Sequence, residues 1–164
     1  MEAVFADIPR SFTALAEWSA CMVYLLLLER KMKGKKFWII SGLALVLLVA
    51  FLVATDDFPL ILWIPCMLTA AALMYGFLLL GGKLTLLEAG YCCAGAFLLG
   101  EFTASLEWQL NTYLVFLGFD NWWQQGLLLI VICGCIFWIA FRLESSALPA
   151  YSQAFFVNAG LKKQ

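Results

Sequence analysis

The sequence predicts an all-α fold, a polytopic membrane bundle of about five transmembrane helices, and three observations carry that prediction. Across 164 residues the chain is 65% apolar and only 13% charged, against roughly 45–50% and 25% in soluble domains. Apolar runs recur at a length near the ~20 residues that a bilayer-crossing helix needs. The basic residues are gathered rather than scattered, with Arg30, Lys31, Lys33, Lys35 and Lys36 in one short loop. Such a cluster beside a span stays in the cytoplasm, so the amino terminus is expected outside and the carboxyl terminus inside.

Taken in order, residues 1–10 form a short polar lead with Glu2, Asp7 and Arg10. The lead lacks the basic start and small-residue cleavage site of a signal peptide. The first span, 11–28, is interrupted by Glu17; the second, 37–55, carries no charge at all. An acidic turn follows, Asp56-Asp57-Phe58-Pro59, whose proline suits the start of the next helix. The third span, 60–80, holds Pro65 near its start, a tolerable place for a mild kink. Gly81-Gly82-Lys83 makes a tight inner loop before the fourth span begins at Leu84.

That fourth span is expected to leave the membrane between Glu101 and Glu107. Residues 111–117 are then its outer end, or a helix lying in the interface. An outer loop, 119–125, sets Trp122 and Trp123 at headgroup level, and the fifth span, 126–143, exits at Arg142. Residues 1–145 are read as the transmembrane domain. Residues 146–164 are read as a short tail, either cytoplasmic or the remnant of a further helix. In this arrangement every Lys and Arg except Arg10 is cytoplasmic, while Asp7, Asp56, Asp57 and Asp120 lie outside.

Chemistry concentrates on the fourth span, which carries Glu88, Glu101 and Glu107 in otherwise apolar sequence. A carboxylate at membrane depth costs about 2.5–3.5 kcal/mol on insertion scales, so it turns toward protein or water. Glu88 and Glu101 are ~20 Å apart along a helix, near opposite faces of the bilayer. Glu101, Ser105, Trp108 and Thr112 share one helical face by their spacing. That face makes Glu101, Ser105 and Trp108, with Glu107 beside them, the candidate ligand site opening to the outer surface. The plainer interpretation is that Trp108 anchors in the interface and Glu107 is hydrated. Glu17 and Glu88 are further intramembrane polar groups.

The remaining composition excludes more than it offers. A net charge of −1 gives no basic surface for a nucleic acid. The chain has no histidine, hence no commonest general base, no nitrogen ligand and no phospho-acceptor histidine. The six cysteines, Cys21, Cys66, Cys92, Cys93, Cys133 and Cys135, all fall in apolar runs, where the thiol packs as a small hydrophobe. Neighbours one or two apart diverge around a helix axis and cannot converge on one ion, so no metal and no cofactor is expected. Gly90/Ala94 and Ala96/Gly100 are small-residue pairs that permit close helix approach and a homodimer through the fourth helix, though such pairs also arise often by chance.

The stretch Glu88-Ala89-Gly90-Tyr91, then Gly100-Glu101-Phe102 with Ala104-Ser105-Leu106-Glu107-Trp108-Gln109-Leu110, resembles the amino-terminal membrane sensor region of GHKL-type histidine kinases. These are the Gram-positive sensors related to the accessory gene regulator system. By pattern the likeness covers residues 1–145; its specific part is the fourth-span block. It implies a membrane-embedded sensor or receptor module of a two-component system, in a bacterial cytoplasmic membrane. Its partners would be the lipid bilayer and a peptide or small-molecule ligand from outside. A full-length relative would be a kinase, but this chain has neither the phospho-acceptor histidine nor an ATP-binding domain, so no enzymatic activity is expected. The chain reads as truncated before any kinase domain, either a fragment of a sensor or a stand-alone membrane protein derived from one. Two other readings stay open: a small multi-span transporter or substrate-binding membrane subunit, and a structural membrane partner. A transporter predicts mid-membrane polar groups on several spans, and the second and fifth offer almost none.

Overall fold

The computed structural model describes residues 9–32, 34–56, 58–118 and 122–161. Five helices account for most of them: α1 (Arg10–Leu27), α2 (Lys35–Ala54), α3 (Leu60–Gly81), α4 (Leu86–Phe116) and α5 (Trp122–Leu161). Among the described residues four stretches are long and apolar enough to cross a membrane: Lys35–Ala54, Ile64–Gly81, Leu86–Phe116 and Gly126–Ser146. Large apolar side chains such as Ile39, Val46, Ile61, Leu68, Ile130 and Trp138 point outward. Outward apolar surface on this scale is what lipid, not water, covers. The fold is therefore that of a multi-pass membrane protein.

The remaining helix, α1, is the least apolar and the most enclosed. It touches each of the other four helices and has its most extensive contact with α4. Thr13, Ala14, Ala16, Glu17, Ala20 and the run from Cys21 to Leu25 are all buried. A helix ringed by others need not be apolar all round, which explains how α1 carries Glu17, Trp18 and Ser19. On its α2 side, the Trp18 indole Nε1 donates to the Ser41 carbonyl at 2.9 Å, and the Ser41 hydroxyl donates to Met22 Sδ at 3.1 Å.

Loop contacts fix how the helices alternate. At one end the α1–α2 and α3–α4 connections are bound together. Lys31 N donates to Gly81 O at 2.9 Å and Lys83 N to Glu29 O at 2.8 Å. A Lys83–Glu29 ion pair of 3.0 Å and a Lys31 Nζ bond to Leu79 O at 2.7 Å reinforce the join. Arg30, Lys31, Lys35, Lys36 and Lys83 therefore share one end, while Lys33 lies outside the described residues. At the other end Arg10 pairs with Asp56 at 3.2 Å, bringing the start of α1 to the α2–α3 turn. Glu2, Asp7, Asp57 and Asp120 also lie outside the described residues.

Two helices are longer than the sequence suggested. α4 has 31 residues and α5 has 40, or ~46 and ~60 Å of helix against a hydrocarbon core of ~30 Å. Residues 111–116 are thus the continuation of α4 and not a separate interfacial helix. Past the expected exit at Arg142, α5 runs on unbroken through Leu161.

Candidate functional site

The site is built on how closely α1 can approach α4, and small residues decide that. A Cβ placed on Gly100 would lie 2.8 Å from Glu17 Cα and 3.0 Å from Glu17 N, so the backbone of α1 rests in the notch that glycine leaves. Five residues earlier in α4, Gly95 receives the hydroxyl of Tyr24 in the same way. The two helices run antiparallel, and both notches lie along one seam. Ala96 and Ala104 are buried on that side of α4 as well.

Burial of that stripe carries polar groups inside. On α4 the enclosed residues from the middle onward are Gly100, Thr103, Ala104, Glu107 and Asn111. Glu17 and Glu107 are each 0% exposed. Both oxygens of each carboxylate, and Oε1 of half-buried Glu101, have no hydrogen-bond partner among the described residues. Thr103 is not a partner, because its hydroxyl donates to Leu99 O of its own helix at 2.7 Å. Glu17 and Glu101 are near enough to repel one another when charged, and the Arg10 guanidinium acts on both from the start of α1. Glu107 lies further along α4, also fully enclosed.

These placements revise the sequence reading of the site. Glu107 is not hydrated beyond the membrane exit; it is enclosed, because α4 continues two turns past it to Phe116 and brings it against the bundle. The face of Glu101, Ser105, Trp108 and Thr112 is not the enclosed one, and all four are half-buried. The buried stripe lies one residue around, on Gly100, Thr103, Ala104 and Glu107, where the glycine at 100 admits the α1 backbone. Glu88, read from the sequence as an intramembrane polar group near one membrane face, has a local role. It closes a capping box at the start of α4, accepting from Thr85 N at 2.8 Å while Glu88 N donates to Thr85 Oγ1 at 3.4 Å. Glu17, which the sequence marks as an intramembrane polar group outside the candidate site, is with Glu107 the most enclosed carboxylate. The signal that singles it out is a glutamate amid Ala16, Ala20 and Cys21 on a helix of small residues.

Three of the six thiols are packed inside the bundle, and Cys135 is exposed. Cys21, Cys92 and Cys93 are buried, Cys66 and Cys133 partly so, and all six are unpaired. Cys93 Sγ donates to Ala71 O at 3.3 Å. No group of ligands able to hold a metal occurs among the described residues. Of the small-residue pairs on α4, Ala96/Gly100 is used internally against α1, while Gly90 and Ala94 remain on the outer side.

Chemically, a buried carboxylate without a hydrogen-bond partner must take a proton, meet a cation or admit water. The fold and this cluster define a class: a helical multi-pass membrane protein with carboxylates in its interior. No family model matches the chain, and neither a curated protein nor a solved structure is significantly similar to it.

Proposed function

We propose that this chain is the membrane-embedded receptor module of a two-component-type signalling system, with five spans, the amino terminus outside and the basic end in the cytoplasm of a bacterial cell. The single observation that best supports this reading is the form of α5. It packs on α1 and α4 within the bundle, then continues from the basic end as one helix to Leu161. A receptor needs such a rod to carry a change in the bundle to a downstream domain, and a bundle that only held a substrate would not. The input is the carboxylate cluster of Glu17 and Glu101 near the Arg10 end, where a peptide or small molecule arriving from outside would present a polar or cationic group. Gly90 and Ala94 leave α4 a small-residue surface for a second copy.

Joining α5 in frame to a histidine-kinase catalytic module tests the proposal. Junctions at successive helical phases should give a basal autophosphorylation rate that Glu17→Gln and Glu101→Gln change several-fold. Rates indifferent to both substitutions at every phase would refute it. The transporter reading draws on a different observation, the three buried carboxylates with unpartnered oxygens on two helices. Carboxylate-dependent solute uptake by the chain alone in sealed vesicles would favour that reading.

A further inference from the structure

The glycine notches do more than bring α1 and α4 together, because one of them opens a path to the helix that leaves the bundle. Tyr24 Oη donates to Glu144 Oε1 at 3.0 Å, a partly buried bond between residues 120 apart in sequence. To reach Glu144 the Tyr24 phenol must pass directly over the α4 backbone. It can do so only because residue 95 is glycine, whose absent Cβ would overlap the hydroxyl and stand 3.1 Å from Cζ. Glu17 precedes Tyr24 by seven residues, which is two turns and ~10 Å of the same rigid helix. Glu17 sits in the second notch, at Gly100. A movement of α1 against α4 at Glu17 is therefore a movement of Tyr24 at α5. Elsewhere α5 presents most of its surface outward, with Leu127, Ile130, Val131, Trp138 and Ile139 exposed. Its position in the bundle is accordingly sensitive to a single polar contact at the exit.

We infer that Tyr24, Gly95 and Glu144 form a latch that sets the docked position of α5, and that α1 is the element through which the carboxylate cluster works it. The role of the latch in signalling rests on the receptor reading, whereas the latch itself is a property of the packing and holds for any function. In the docked state the phenol bridges α1 to α5 across α4. In the released state the bond is broken and α5 is free to shift or rotate at the basic end, where Arg142 and Glu144 lie.

The test uses the full chain in lipid nanodiscs, with spin labels carried by bioorthogonal amino acids at Leu87 of α4 and Leu143 of α5, both exposed. A second pair spanning α1 and α4 reports whether the bundle is intact. Tyr24→Phe removes the donor, Glu144→Ala removes the acceptor, and Gly95→Ala leaves both but pushes the phenol aside. Each should lower the docked-to-released ratio about two- to tenfold, the range set by the net worth of one internal hydrogen bond. The α1–α4 distance should not change. Tyr24→Phe combined with Gly95→Ala should do no more than either alone, since both break one contact. Gly42→Ala on α2, where a Cβ meets nothing within 4 Å, should match the unsubstituted chain. An unchanged α4–α5 distance distribution in Tyr24→Phe or Gly95→Ala, or additive effects in the pair, would overturn the latch. Neither result depends on kinase output, so failure of the latch and failure of the receptor reading are read separately.

Discussion

Replacing Gly100 by alanine should separate α1 from α4, and the structure sets the size of the effect. The new Cβ would stand 2.8 Å from Glu17 Cα and 3.0 Å from Glu17 N, where carbon contacts prefer about 3.5–4.0 Å. Both atoms are backbone, so no rotamer change relieves the clash and the helices must part by about 1 Å along the seam. Between helices in lipid there is little hydrophobic driving force, and packing is the main attraction that such a shift removes. Overpacking of this kind costs about 1–3 kcal/mol, partly offset by a gain of about 1 kcal/mol from replacing glycine within a helix. Gly90→Ala on the same helix receives the propensity gain without a clash, since nothing lies within 4 Å of its Cβ. The difference between the two variants cancels propensity and should be about 1–3 kcal/mol, with Gly100→Ala the less stable. Reversible unfolding of both in mixed micelles, followed by helical circular dichroism, measures it. Equal stability of the two variants would refute the notch.

The enclosed carboxylates should be costly to the fold. Glu107→Leu, which removes a buried group without partners, is expected to raise stability by about 1–3 kcal/mol in the same unfolding assay; a loss of that size would mean that Glu107 is satisfied. Glu88→Ala should lower stability by roughly 0.5–2 kcal/mol by opening the cap of α4, visible as earlier hydrogen exchange in the first turn of that helix. Replacing all six cysteines by alanine should leave the protein folded, because the thiols are unpaired. Stoichiometric metal in the purified protein that disappears with Cys92 and Cys93 would count against a packing role.

What the sequence made legible was what bulk hydropathy encodes. The uncharged run at the second span, the tight Gly81-Gly82-Lys83 turn and the basic loop read directly, because each depends on composition over a short window. The centrality of α1 did not read, since enclosure by four partners is a tertiary fact that its mixed composition conceals. Depth along α4 failed for a related reason. A helix of 31 residues exceeds the bilayer core, so nothing local to Glu107 says whether it meets water or protein. The pair Ala96/Gly100 was visible as a close-approach motif, but only the structure names α1 as the helix that fills it. The capping box follows from Thr85-Leu86-Leu87-Glu88, a local pattern that the sequence reading passed over in taking Glu88 for an intramembrane polar group.

The receptor reading requires α1 to cross the bilayer inside the bundle, with the basic end in the cytoplasm. Sided thiol labelling tests this most directly, with single cysteines at Ser11 and Lys36 in the chain freed of its own six, in right-side-out and inverted vesicles. Only α1 and its following loop separate the two positions. Impermeant reagent should reach residue 11 from outside and residue 36 from inside. Labelling of both from one side would show that α1 does not cross, and labelling in the reverse sense would overturn the orientation.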